Sequence, residues 1–192
     1  MTNITPIREL AFYDTKAVDD LAWPEEIQEI TIQSSALEVF TDFNEYKPLV
    51  IEDTTSAIEA RSLMQKSHVR LKIVVDSNDH FLGAISLNDL DNQAVIIKVS
   101  EGYKYEELCV TDFMRCKSEL KGFRYSDLAS ARINDVVIAL QGSGHQHCLV
   151  IDAEKHKIRG IISASDIARR LHLHVDIENS SSFVSIFEAL TH

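Results

Sequence analysis

Two short segments carry a glycine, a serine and an aspartate at one spacing, and these residue types can bind a phosphorylated sugar. The segments are 83–89 (Gly-Ala-Ile-Ser-Leu-Asn-Asp) and 160–166 (Gly-Ile-Ile-Ser-Ala-Ser-Asp). A helix start favours phosphate through its unpaired N–H groups and dipole, and a serine there can donate to a phosphate oxygen. An aspartate one turn later can accept from two ribose hydroxyls, and glycine lets the backbone approach closely. The candidate binding residues are Ser86, Asp89, Ser163 and Asp166.

The same spacing has a purely structural interpretation. Ser-x-x-Asp is close to the capping box, in which a serine caps a helix and the acid three residues later reaches back to it. A duplicated fold would also duplicate its helix caps. From the residues alone, both interpretations of the two segments stay open.

The elements around the two segments repeat in order. Hydrophobic periodicity, β-branched runs and turn residues predict helix, strand, strand and helix twice, with matching residues 77 positions apart. Two copies are too few for a solenoid and instead predict two units that pack face to face to bury their apolar sides. The predicted elements are helix 55–66, strands 69–75 and 81–86 and a helix from 87, then helix 133–141, strands 146–151 and 158–163 and a helix from 164.

The flanking segments complete a predicted α/β (α+β) fold. Short strands are expected at 30–32 and 48–51, a helix at 35–44 capped by Ser34 or Ser35, and a helix at 182–190. The predicted domains are an acidic N-terminal arm (1–34), a first unit (35–106), a second unit (107–176) and a C-terminal helix (177–192).

Composition excludes several classes of function. The net charge is −11, and residues 1–46 hold ten acidic and two basic side chains, so nucleic acid and anionic membranes are not expected partners. No signal peptide and no apolar run near the roughly 20 residues of a membrane helix is visible. Three irregularly spaced cysteines favour a reducing cytoplasm. The known catalytic motifs are absent, and the His-x-His pair at 145–147 lacks further ligands, so we expect neither catalysis nor a metal site.

The repeated order resembles the CBS domain family, as a tandem pair of β-α-β-β-α units related by a pseudo-twofold axis, called a Bateman module. The resemblance covers about residues 36–175. It depends on the two segments above, on Val74-Val75-Asp76 and Val150-Ile151-Asp152 at the ends of the middle strands, and on Val110-Thr111-Asp112-Phe113-Met114 before the second unit. The chain departs from the family where Ile73 and Leu149 occupy positions that often hold proline.

The resemblance implies a stand-alone regulatory module rather than an enzyme. Such pairs often hold AMP, ADP, ATP or S-adenosylmethionine in two clefts, form homodimers and signal to an effector protein. It implies phosphate contacts from the serines, ribose contacts from the aspartates and adenine contacts near Leu49 and Val50. Arg132, His147 and Arg169 are the basic residues expected near the phosphates of the second site, and Arg70 is the matching candidate in the first. The alternative is a structural dimerisation module without a ligand.

Overall fold

A computed structural model describes residues 12, 15, 16, 18–21, 29–173 and 182–191. Within these residues the chain forms two four-stranded sheets flanked by helices, and this confirms the predicted α+β fold class. The strands are β1 (Phe40–Asp42), β2 (Val50–Glu52), β3 (Leu71–Val75), β4 (Phe81–Ser86), β5 (Arg115–Cys116), β6 (Gly122–Arg124), β7 (His147–Asp152) and β8 (Lys157–Ser163).

The helices lie on the outer faces of the sheets. Ser56 caps the first of them by accepting the amide of Glu59 at 3.2 Å, as expected of a serine at this position. The α-helices are α1 (Ala57–Lys66), α2 (Asn92–Ser100), α3 (Tyr125–Leu128), α4 (Ile133–Leu140), α5 (Ala164–Arg170) and α6 (Phe183–Thr191), and short 3-10 helices span Ala36–Val39, Tyr105–Glu107 and Val110–Asp112.

Each sheet takes one edge strand from the other half of the chain. The first sheet has the order β2-β3-β4-β5, and the second has the order β1-β8-β7-β6. Strand β1 lies antiparallel to β8 with Thr41 opposite Ile161, and β5 lies antiparallel to β4 with Arg115 opposite Ala84. The domain boundaries set out above remain a prediction, and the two sheets interlock across them.

The glycines of the repeated segments make this exchange of strands possible. A Cβ on Gly160 would lie 2.1 Å from the carbonyl oxygen of Thr41, and a Cβ on Gly83 would lie 2.3 Å from that of Arg115. Only glycine permits such an approach of two backbones. Each of these glycines therefore allows its own strand to approach the exchanged edge strand closely.

Three apolar clusters hold the layers together. One lies under α1 and α2 and includes Met64 and Leu90, and a larger one lies under α4, α5 and α6 and includes Ile133 and Phe183. The third is small and joins the two sheets, with Ile73, Val75, Ala84 and Leu149 buried in it. The interface between the halves is thus thin, and this leaves room for clefts beside it.

The structure corrects three expectations about local structure. Residues 31–34 form a turn rather than a strand, since the amide of Thr31 donates to Ser34 Oγ at 3.0 Å. The segment 35–44 is not one helix: Ser35 caps a 3-10 helix as expected, but pairing with β8 then draws residues 40–42 into a strand. Residues 87–90 form a turn, and α2 begins only at Asn92, capped by Asp91. The helix predicted from Ala164 is confirmed.

Candidate functional site

A cavity of about 410 Å³ opens between the two sheets where β3 and β7 begin. Its volume lies within the range typical of small-molecule sites. Leu71 and His147, the first residues of these strands, face it from the two halves of the chain. We call this cavity the central cleft; its walls include Leu71, Arg115, Gly122, His145, His147 and Leu149.

Each predicted serine pairs with a residue that lines the central cleft, although neither serine is itself one of the lining residues. Ser86 is the pairing partner of Leu71, and Ser163 is the pairing partner of His147. Residues directly opposite each other in an antiparallel pair project on the same face of the sheet. Both serines are 7% exposed, so they are buried beside these lining residues rather than on the open surface.

In the first copy, the serine and the aspartate bind each other. Asp89 Oδ2 accepts from the Ser86 amide at 2.7 Å and from Ser86 Oγ at 2.6 Å, and the Asp89 amide donates back to Ser86 Oγ at 3.2 Å. This is the reciprocal geometry of a capping box, although a turn follows it instead of a helix. The polar groups of this copy already satisfy one another.

In the second copy, the two residues stay apart. The hydroxyl of Ser163 lies 2.7 Å from that of Ser165, and Ser163 caps α5 without a side-chain hydrogen bond to it. The carboxylate of Asp166 pairs with Arg169 on the same helix and is one-third exposed. Both side chains can therefore turn to a ligand without breaking a buried local network.

The structure adds one arginine that the sequence interpretation missed. Arg115, the first residue of β5, lines the central cleft, and its Nη1 donates to His145 Nδ1 at 3.3 Å. Its Nε is buried and has no hydrogen-bond partner among the described residues. A buried guanidinium N–H without a partner is costly, so this group is suited to an anion. The sequence signal that could have found it is its position directly after the Val110–Met114 segment.

His147 lies in a positive environment inside the cleft. Burial and, to a smaller extent, the charges of Arg115 and Arg70 together lower the pKa of its imidazole to about 4. The lining includes two basic side chains, Arg115 and Lys121, and one acidic side chain, Glu119, so its net charge is positive. His147 thus lies in the wall of the central cleft, and its predicted role near the phosphates stays a prediction.

Arg132 does not reach the central cleft. It stands before the first residue of α4, where its Nη1 donates to Gln33 Oε1 at 2.7 Å. The cleft is lined instead by Leu140 at the other end of α4, roughly 12 Å away along the helix axis. The expected grouping of Arg132 with His147 is wrong because the whole helix separates them.

Leu49 and Val50 also lie away from His147. Val50 lines a second cavity of about 860 Å³, whose floor includes Ile73, Phe81, Ile151 and Ile158. This hairpin cleft lies near the β3–β4 and β7–β8 turns, at the opposite end of the strands from the central cleft. Leu49 is 53% exposed and contributes its carbonyl oxygen to the amide of Ile73. The eight predicted residues therefore do not form one site.

Two other kinds of chemistry find little support in the described part of the chain. No group of three or more His, Cys, Asp or Glu side chains is arranged there to hold a metal ion. Burial raises the pKa of the Cys148 thiol to about 11, and a thiol in that state is a poor nucleophile.

None of the described helices has the length and apolar character required to cross a lipid bilayer.

Comparison with known protein families finds a match over part of the chain. The model of the CBS domain family matches residues 40–93. No curated protein sequence matches the chain significantly.

Solved structures with the same fold include CBS proteins. An uncharacterized conserved protein from Pyrococcus horikoshii is 19% identical with a TM-score of 0.55, over 77% of this chain and 98% of its own. A CBS-domain containing protein from Agrobacterium tumefaciens is 15% identical with a TM-score of 0.54, over the same shares. CBSX2 of Arabidopsis thaliana, solved in complex with AMP, is 22% identical with a TM-score of 0.52, over 71% of this chain and 94% of its own. The predicted fold of a CBS pair is confirmed.

Proposed function

We propose that this pair of CBS units is a regulatory module that binds AMP, ADP or ATP in the central cleft and conveys its occupancy to a partner protein. The observation that carries the proposal is Arg115, whose buried Nε points to an anionic ligand. The role of the module is to bind a nucleotide and to signal, rather than to catalyse a reaction. The AMP complex of CBSX2, which has the same fold, supports this class of ligand.

The phosphates bind at the wall that contains Arg115 and His147, next to Ser163, the pairing partner of His147. Arg115 supplies charged donors, and Ser163 supplies a hydroxyl at the start of α5, where the helix end favours negative charge. Charge-assisted hydrogen bonds of this kind contribute about 1.5–3 kcal/mol each. Arg70 adds positive potential, as its effect on the pKa of His147 indicates.

The nucleoside extends from this wall along the apolar side of the cleft. Leu71, Ala84, Phe123 and Leu149 offer surfaces against which a planar base can pack. Asp166 is the partner for the ribose hydroxyls, because it can exchange Arg169 for a ligand, whereas Asp89 is held by Ser86. Occupancy is therefore one nucleotide per chain.

The charge of the cleft also selects among adenosine compounds. S-adenosylmethionine has a positive sulfonium where a nucleotide has negative phosphate, so the arginines repel it while attracting AMP, ADP and ATP. Affinity should rise from AMP to ATP as the negative charge grows.

Calorimetric titration with all four compounds tests the proposal. Arg115→Ala should weaken nucleotide binding at least tenfold, which corresponds to the loss of about one charged hydrogen bond. Arg132→Ala is the matched control, since it removes the same charge outside the cleft. Absence of binding up to millimolar concentration, or equal losses in the two variants, would overturn the proposal.

A homodimer is part of the proposal and depends on a different observation. The faces of α1 and α2 expose Ile58, Leu63, Ile96 and Ile97 by 43% to 66% of their surface. The corresponding helices α4 and α5 are covered by α6, whereas no described helix covers α1 and α2. A second copy that places its own α1–α2 face against this one buries both.

Sedimentation tests the dimer. Ile96→Lys should reduce the mass to that of one chain without unfolding it, and Tyr46→Lys, which alters an equally exposed side chain in the β1–β2 loop, should not. A monomeric parent protein would refute the dimer. A dimer that binds no nucleotide would favour the alternative, a structural interaction module in which the closed Ser86–Asp89 pair is only a turn cap.

A further inference from the structure

The helix α6 packs onto the second half of the chain beside the central cleft. Phe183 and Ile186 are completely buried in the cluster beneath α4 and α5, where Val136, Val137 and Ile167 lie. The first residues of α6 are therefore fixed by packing and not only by their own helical hydrogen bonds.

A short path of contacts connects α6 to the ligand wall. The amide of Phe183 donates to the carbonyl oxygen of His145 at 3.0 Å. The ring of the same His145 accepts from Arg115 at 3.3 Å inside the central cleft. Leu140 provides a second connection, because it lines the cleft and packs against the cluster that contains Phe183.

We propose that α6 is the element that senses the occupancy of the central cleft, through the Phe183–His145–Arg115 path; this inference rests on the nucleotide site proposed above. A docked α6 holds the His145 backbone, and the His145 ring then holds the Arg115 guanidinium where a phosphate meets it. A bound phosphate fixes Arg115 and His145 in turn, and so makes α6 harder to release. By linkage, the factor by which α6 docking improves affinity equals the factor by which the nucleotide stabilises docking.

The first half of the chain lacks this device. The segment that follows α1 closes on its own helix, since the amides of His68 and Val69 donate to the carbonyl oxygens of Gln65 and Met64. Among residues 29–173 and 182–191, no helix packs there as α6 does in the second half. The proposed coupling is therefore confined to the second half of the chain. Hydrogen exchange at the amides of α1 can serve as an internal reference.

Hydrogen exchange of the unmodified protein, with and without saturating ATP, tests the inference. Amide hydrogen exchange at residues 142–147 should become slower when ATP binds, and it therefore reports occupancy of the cleft. The amides of α6 should slow roughly 5- to 150-fold, the usual range of coupling between sites, and those of α1 much less. If the loop slows while α6 slows no more than α1, the inference fails and the nucleotide site stands. If nothing slows, the proposed function itself fails.

A pair of variants on α6 gives the reciprocal measurement. Ile186→Ala loosens the packing of α6, whereas Glu188→Ala alters an exposed position of the same helix. Ile186→Ala should lower the affinity for ATP, at most by the factor by which ATP slows exchange in the parent α6, and Glu188→Ala should leave the affinity unchanged. Unaltered affinity in a folded Ile186→Ala variant whose α6 amides exchange without protection would overturn the inference. If that variant does not fold, the exchange experiment decides alone.

Discussion

Asp42 and Arg159 form a bidentate ion pair although 117 positions separate them in the sequence. Arg159 Nε lies 2.9 and 3.0 Å from the two carboxylate oxygens of Asp42, and Nη2 lies 2.7 Å from one of them. The guanidinium also stacks 4.1 Å above the ring of Tyr125. Both charged side chains are less than one-fifth exposed, so water screens the pair only partly. The pair therefore locks β1 onto β8.

Asp42→Asn should destabilise the fold by about 2 kcal/mol, because Arg159 would lose its bidentate partner in a largely buried site and keep only the more distant Asp152, 4.0 Å away. Urea denaturation measures the effect. Glu154→Gln, an exposed charge in the β7–β8 turn, should change stability by less than about 0.5 kcal/mol.

The same pair predicts a dependence on pH. The hydrogen bonds from Arg159 hold the pKa of Asp42 below its ordinary value of 3.8. The stabilisation is therefore complete above that value and is lost as the pH falls through the lower pKa of the folded protein. Acid titrations followed by circular dichroism measure this dependence. As the pH falls, the stability of the Asp42→Asn variant should decrease less steeply than that of the parent protein. Identical acid profiles would contradict this origin of the pKa shift.

Gly160→Ala should prevent the exchange of strands. Its methyl group would meet the carbonyl oxygen of Thr41 at 2.1 Å, a backbone atom that cannot turn aside as a side chain can. We expect a loss of roughly 3 kcal/mol or more, seen as a large fall in melting temperature or in soluble yield. Gly142→Ala is the control, because nothing lies within 4 Å of the added methyl group. A stable Gly160→Ala protein would show that β1 does not pair with β8 as described.

Nucleotide binding should be accompanied by uptake of a proton at His147. In the empty cleft its pKa is about 4, so the ring is neutral near pH 6. A phosphate beside it raises that pKa, and affinity then rises by up to about tenfold per pH unit as the pH falls from 6 towards 4. Calorimetry at pH 6 in buffers of different ionisation enthalpy counts the protons. His147→Gln should remove this part of the uptake and leave only the part due to titration of the nucleotide itself.

The two aspartates of the repeated segments should differ in what they do. Asp89→Asn breaks the reciprocal hydrogen bonds to Ser86 and should cost about 1 kcal/mol of stability with little effect on nucleotide affinity. Asp166→Asn should leave stability within about 0.5 kcal/mol and weaken nucleotide binding several-fold. Melting curves and titrations of the two variants separate these outcomes, and the reverse pattern would place the nucleotide in the first copy.

Local patterns predicted the elements whose stability is mainly local. The strand over Phe81–Ser86 and the start of α5 at Ala164 were predicted correctly, since β-branched runs and helix caps act over a few residues. Strand β1 was missed because its partner lies more than a hundred positions away, and three residues carry no strand signal of their own.

The candidate site was harder to predict for the same reason. Ser163 and His147 lie in two strands that the sequence predicted, and the register that places them opposite each other comes from the structure. Arg132 was chosen for its charge and its nearness in sequence, and the length of α4 carries it away. Arg115 enters the cleft only because β5 crosses to the first sheet, and no pattern in a single half could reveal that crossing.

The crossing of β1 to the second sheet also determines when β1 can pair during synthesis. Strand β1 has its pairing partner only once residue 163 has been made. At ordinary translation rates of about 5–20 residues per second, the wait lasts roughly 6 to 24 seconds. During that time the nascent chain on the ribosome exposes an unpaired β1 strand, which can pair with other chains. A chaperone that shields the first half should therefore raise the yield more than one that acts after release.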